Sequence, residues 1–188
     1  LAAHDSIVNF SDHDVSLVAI VSNKVRAGRP IIGYGFNSIG RFAQAGILQK
    51  RMFPRLLSAD PILLVSENED LFDPVAFSRV AMENEKPGGH GDRAGAMAAI
   101  ELAVWDLNAK LLDEPAWSWI SKCNATEIDQ PTVSTYAAGG YYYDTDSLGK
   151  LRDELQSYLD LGFDALKVKI GGASLEVDLE RIDLASQL

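Results

Sequence analysis

The chain has 188 residues, 47% of them hydrophobic and 23% charged, the balance of a globular protein with a buried core. Its 17 Lys and Arg against 27 Asp and Glu give a formal charge of −10, which argues against binding a phosphate backbone, so no nucleic-acid partner is expected. No apolar run reaches the ~18 residues of a membrane span, so no membrane partner is expected. The lone Cys123 excludes an internal disulfide framework and a multi-Cys zinc site, and suits a reducing cytoplasm.

In chain order, a polar loop over His4 to Asp14 precedes two β-branched, apolar stretches, Ser16 to Val25 and Ile31 to Phe36. Turn residues Arg26 to Pro30 lie between them, which predicts an antiparallel hairpin. Gly33, Gly35 and Gly40 mark a second loop over 33–40. Phe42, Ala45, Leu48 and Met52 recur at helical spacing from Arg41 to about Leu57, and Pro54 should break or restart that helix. A short helix is expected from Pro74 to about Glu83 with Asp73 as its N-cap. After the loop Asn84 to Gly91 comes the longest helix, about 92–111, with Ala96, Ala99 and Ala103 suited to close packing. Ala116 to Lys122 adds a last turn or two. This makes an α+β unit over 1–122.

The pattern then changes. Thr132 to Ala137 reads as a strand and Ser147 to Leu161 as a helix. Ala165 to Ile170 is a second strand, and a helix capped by Ser174 follows, with Leu175, Leu179, Ile182 and Ala185 on one side. Strand, helix, strand, helix over 131–188 is the grammar of parallel β/α units. Two parallel strands cannot bury both faces, and a closed (β/α)8 barrel takes ~250 residues. The chain is therefore expected to stop inside a larger barrel domain.

Side chains alternate across a strand, so Leu166, Val168 and Ile170 share an aliphatic face while Lys167 and Lys169 share the other. Inward-facing ammonium groups are costly, and two on one face favour the neutral amine, the form that acts as a general base. A solvated rim strand is the alternative for K-x-K alone. Its place before Gly171-Gly172, at the C-terminal strand end, favours an active site. Lys86 in a glycine-rich loop could reach a carboxylate, or simply be solvated. His90 reads as a loop or capping residue more than a proton carrier. Asn37 and Ser38 fit either a substrate loop or a plain Asx turn. Tyr141 to Tyr143 either line a pocket mouth or cover apolar surface. The acidic run Glu67, Glu69, Asp70, Asp73 lacks calcium-loop spacing and reads as a solvated face.

Ala98-Ala-Ile-Glu-Leu-Ala-Val-Trp-Asp-Leu-Asn-Ala-Lys110 with Glu114-Pro115, and Lys167-Val-Lys169, resemble the mandelate racemase/muconate lactonizing enzyme branch of the enolase superfamily. Four further segments are similar to the D-tartrate dehydratase group of that branch: Gly33 to Ser38, Asn84 to Gly91, Tyr136 to Tyr143 and Lys169 to Ala173. The resemblance implies an N-terminal α+β capping domain closing over a modified (β/α)8 barrel. It implies a hydro-lyase that removes the proton α to a carboxylate and eliminates water from a D-tartrate-like acid sugar, giving a 2-oxo acid. Lys169 would be the base, Lys167 its neighbour at the carboxylate, and Lys86 and Asn37 substrate-binding residues from the cap. Mg²⁺ would be the cofactor, with ligands beyond residue 188, so no metal ligand is assigned here. A small anionic sugar acid as substrate and a homo-oligomeric, cytoplasmic enzyme are expected. Ile39 departs from the group's pattern, which carries Asn there. Another dehydratase or racemase of the branch, or a catalytically silent binding module, are the alternatives.

Overall fold

The computed structural model of the chain describes residues 4, 5, 7, 13–40, 43–67, 70–86, 91–126, 132–145 and 147–188, with backbone alone at 38–40. Contacts divide the chain into two compact units, one of 13–129 and one of 130–188 with the N-terminal segment 1–12. The N-terminal segment was expected with the first unit. Instead His4 forms an antiparallel bridge with Tyr142, whose N–H donates to the His4 carbonyl at 3.1 Å. The two rings stack with centroids 5.5 Å apart, and this paired aromatic and backbone contact is what ties the segment there.

In the unit 13–129, strands β1 (Asp14–Arg26) and β2 (Arg29–Gly40) form the expected antiparallel hairpin. Ala27 and Gly28 join them with positive φ values of 50° and 76°, the backbone of a twist-compatible two-residue turn. Strand β2 continues beyond the apolar stretch 31–36 through all of 33–40, where a glycine loop was expected. Its glycines serve close approach rather than a turn. A Cβ on Gly33 would stand 2.1 Å from the Ala103 carbonyl oxygen, and one on Gly35 the same distance from that of Ala99. Both carbonyls belong to helix α4 (Gly91–Leu112), whose Ala96, Ala99 and Ala103 are fully buried. Glycine on the strand and alanine on the helix let two backbones nearly touch. Helix side chains also stitch the strand. Asp106 accepts from the Tyr34 N–H at 2.7 Å, and the Lys110 ammonium donates to the Ile32 carbonyl at 3.0 Å and to Asp106 at 2.6 Å.

Between hairpin and α4 run α1 (Ala43–Ile47), a π turn (Leu48–Met52) and α2 (Phe53–Ser58). Leu48 and Met52 are buried, as the helical spacing predicts. Pro54 restarts the helix. The Phe53 N–H bonds the Leu48 carbonyl five residues back, a widened turn that absorbs a residue with no N–H to give. Helix α3 (Pro74–Ala81) starts where expected, with Asp73 accepting from the Val75 N–H at 2.8 Å; Asp73 thus caps a helix rather than joining a solvated acidic face. Helix α5 (Ala116–Cys123) ends the unit's helical part. Asn108, buried in α4, clamps Phe72 from both sides: it accepts from the Phe72 N–H at 3.1 Å and donates to its carbonyl at 2.7 Å.

In the other unit, β3 (Ala137–Ala138) and β4 (Leu166–Lys167) pair in parallel, Ala137 opposite Leu166 and Ala138 opposite Lys167. Both strands are shorter than their apolar runs predict, and Thr132 to Tyr136 are exposed. Each strand has one hydrogen-bonded neighbour, and a lone parallel pair supports little ladder. Helices α6 (Ser147–Asp160) and α7 (Leu175–Ser186) follow β3 and β4. Leu151, Leu155 and Leu184 form the small core, with Leu166 and Val168 against it. Ile170, expected on this face, is exposed. The expected apolar side of α7 is also corrected: Leu175, Leu179 and Ile182 are exposed, while Asp178 and Arg181 are buried. Polar partners at the strand ends, described below, decide that rotation. Among the described residues no helix is long and apolar enough to cross a membrane.

Candidate active site

The ladder between β3 and β4 continues past the regular strands. The Gly139 N–H donates to the Lys167 carbonyl at 3.0 Å, and the Lys169 N–H to that of Gly140 at 3.3 Å. Because Leu166 and Val168 pack on the core, Lys167 and Lys169 lie on the opposite side of the strand. They are not equivalent. Lys169 is half-buried, its Nζ 5.5 Å from the centroid of the Tyr141 ring. Lys167, expected to point inward with it, is exposed, 6.0 Å from the ring of the equally exposed Tyr136. An amine over an aromatic face at a C-terminal strand end is held by the ring quadrupole yet remains within reach of a ligand.

The backbone beneath Lys169 is unusually well fixed. Gly140 has φ of 64°, where a side chain would be strained and its Cβ would press on Leu151 and Val168 at 3.0 Å. Glu154, from α6, accepts from the Gly140 N–H at 3.0 Å and from the hydroxyls of Tyr158 at 2.9 Å and Tyr143 at 3.3 Å. Burial and this neighbouring carboxylate push Tyr158 up to about 12, so it stays a donor. Tyr142 is buried, and its hydroxyl donates to Asp178 at 2.6 Å and accepts from the Gly172 N–H at 3.0 Å. That bond from Tyr142, with the Gly171 N–H at 2.7 Å and nearby Arg181, holds the Asp178 carboxyl below its ordinary range despite burial. The three tyrosines thus have separate tasks: Tyr141 under the amine, Tyr142 and Tyr143 in hydrogen bonds to carboxylates. Asp178 and Arg181 were missed in the sequence, where they read as the polar side of an amphipathic helix. The available signal was a D-x-x-R pair one turn into the helix that follows Gly171-Gly172.

The other two expected site residues belong to the unit 13–129. Asn37 is half-buried in β2 and its amide donates to the Gly95 carbonyl of α4 at 3.3 Å. Lys86 is exposed. Its backbone is anchored by an ion cluster in which Arg51, Arg55 and Arg93 converge on Glu85, whose side chain is 5% exposed. Arg55 approaches at 2.8 Å and Arg93 at 2.9 Å, and Arg93 also donates to the Lys86 carbonyl at 2.7 Å. Bonds from Arg93, then Arg55 and Arg51, hold the Glu85 carboxyl at about 2 against an ordinary 4.5. His90, Glu69 and the side chains of Ser38 and Ile39 lie outside the described residues. Among the described residues no group of three or more His, Cys, Asp or Glu could hold a metal ion, so those residues do not fit a divalent cation.

No protein-family model matches the chain. It is 27% identical over 180 residues to an arabinonate dehydratase of Saccharolobus solfataricus, spanning 94% of this chain and 43% of that protein. It is 29% identical over 96 residues to a 3,6-anhydro-alpha-L-galactonate cycloisomerase of Streptomyces coelicolor, spanning 50% of this chain and 24% of that protein. The chain thus spans less than half the length of these curated relatives. A crystal structure of a mandelate racemase/muconate lactonizing enzyme matches 93% of the chain and 49% of its own, with a TM-score of 0.55 and 23% identity. In fold the chain matches a mandelate racemase/muconate lactonizing enzyme, and in sequence it is similar to an arabinonate dehydratase and to a cycloisomerase.

Proposed function

We propose that the chain is part of an acid-sugar dehydratase, in which the unit 13–129 serves as capping domain and 130–188 as the first β/α units of a (β/α)8 barrel. The observation that carries this reading is the half-buried Lys169 amine at the C-terminal end of a parallel strand pair, in a chain similar over 94% of its length to an arabinonate dehydratase. Lys169, as base, takes the proton from the carbon α to a carboxylate, leaving an enediolate. Loss of the β-hydroxyl, protonated as water, gives an enol that becomes a 2-oxo acid. Carbon, hydrogen and oxygen balance as substrate minus one water. Lys167 meets the carboxylate at the exposed end of the same strand, and Lys86 and Asn37 supply substrate contacts from the cap.

The α-proton is very weakly acidic, so charge must be taken up on the carboxylate oxygens; Mg²⁺ would supply that in the whole protein. No step is assigned through it to the residues described above. D-tartrate is the substrate favoured by the motif strings. An aldonate is the second reading, favoured by the arabinonate dehydratase relative, while Ile39 departs from the Asn of the D-tartrate dehydratase group. Full-length protein with Mg²⁺, offered a panel of aldarates and aldonates, separates them: oxaloacetate from D-tartrate supports the first, a 2-oxo aldonate the second. Lys169→Ala should abolish exchange of the α-proton with D₂O and leave the fold intact. Exchange at the wild-type rate in that variant would remove Lys169 from the mechanism.

A further inference from the structure

Helix α7 turns Asp178 and Arg181 inward and so reaches the ends of both strands. Arg181 is 0% exposed. Its guanidinium donates to the Gly140 carbonyl, to those of Tyr141 and Lys169 at 3.4 Å each, and to the Ser147 hydroxyl at 3.1 Å. Its Cζ stands 4.3 Å from the centroid of the Tyr142 ring. One cation therefore touches the carbonyl end of β3, the carbonyl end of β4 and the first residue of α6. Asp178, one turn earlier, secures the other side of the same ring through the Tyr142 hydroxyl, and the following loop through the Gly171 N–H. The Arg181 Nε is buried without a hydrogen-bond partner. A core assembled for packing alone would be better served by an aliphatic residue here, since a buried charge and an unmet donor both oppose burial. What arginine supplies and leucine cannot is a fixed relation between the carbonyls of 140, 141 and 169.

We propose that Arg181 is a positioning residue for Lys169: by gathering the carbonyls of Gly140, Tyr141 and Lys169 on one guanidinium, it sets where the Lys169 amine stands against the Tyr141 ring. The functional weight of this rests on the reading of Lys169 as base, but the placement can be measured without substrate. In folded full-length protein, acetic anhydride acetylates lysine amines at rates that mass spectrometry resolves peptide by peptide, with Lys24 of β1 as internal reference. In Arg181→Met the Lys169 amine leaves the ring and its rate relative to Lys24 rises about three-fold, the scale of a lost cation–π contact. Arg181→Lys, which retains the charge, restores part of the difference. A merely structural role would leave the Lys169-to-Lys24 ratio unchanged in a folded variant, and that result overturns the proposal. Should Arg181→Met fail to fold, Arg181→Gln, which keeps a polar donor but cannot span the three carbonyls, must shift the ratio in the same direction; an unchanged ratio there overturns it equally. Survival of α-proton exchange in Lys169→Ala would instead sink the base assignment, whatever the acetylation ratio does.

Discussion

Substituting Gly35 by alanine tests the contact on which the whole unit 13–129 is built. An added Cβ would stand 2.1 Å from the Ala99 carbonyl oxygen, 2.6 Å from the Ala103 nitrogen and 2.9 Å from the Leu102 Cβ. Two of these neighbours are helix backbone, so no rotamer change relieves the overlap. Helix α4 must retreat from β2 by roughly 1.3 Å before ordinary van der Waals separation returns, and a gap near that size forfeits a quarter to a half of each dispersion contact across it. Overpacking in cores costs about 1 to 3 kcal/mol, and the backbone-to-backbone geometry places this case at about 3. Amide exchange in peptides spanning 96–107 reads the opening of this interface, and about 3 kcal/mol raises exchange by roughly 100-fold. Gly46→Ala is the matched control. Gly46 lies in α1 with nothing within 4 Å of its would-be Cβ, so the same change should stabilise by about 0.5 to 1 kcal/mol. Exchange in Gly35→Ala within two-fold of wild type, or the same sign at both sites, would refute the close-approach argument.

Asn108→Ala strips both partners from the Phe72 backbone, leaving a half-buried N–H and carbonyl unmet, and should destabilise by about 2 kcal/mol; a urea midpoint unchanged from wild type would contradict this. Glu85 gives a pH dependence with a definite sign. Its carboxyl is held at about 2 against an ordinary 4.5, so its contribution is complete above the ordinary value and is lost as pH falls from there towards 2. Pepsin cleavage near residues 82–86 should therefore rise through that window in wild type and be high and flat in Glu85→Gln. Parallel pH profiles in the two proteins would show that the ion cluster does not hold the segment. On the acid-sugar dehydratase reading, chelation of divalent cations should abolish dehydration by the whole protein, and Mg²⁺ should restore it; turnover that survives thorough chelation counts against that reading.

Much of the architecture could be read directly from residue order, because it depends on local chemistry. The hairpin follows from two β-branched runs around Arg26 to Pro30, α3 from Asp73-Pro74, and α4 from alanines spaced along one helical face. That Lys167 and Lys169 share a side follows from strand periodicity, and their place before Gly171-Gly172 from residue order, whereas the resemblance rests on the long motif strings. Those features persist whatever surrounds them.

Tertiary structure alone decided the rest. Glycines 33 and 35 read as a loop, since nothing local distinguishes a turn glycine from one emptied to admit a helix 72 residues away, as Asp106 is from Tyr34. Two chemically identical lysines became unlike because Tyr141 and the turn at Gly140 shelter one and leave the other in solvent. Helix α7 faces inward there because carbonyls at the ends of β3 and β4 require a donor, which Arg181 supplies, while the Tyr142 hydroxyl and the Gly171 N–H require an acceptor, which Asp178 supplies, a demand set by segments distant in sequence. Periodicity reports which side of an element is apolar. Which side is buried depends on what the neighbouring backbone needs satisfied, and that exists only once the chain has folded.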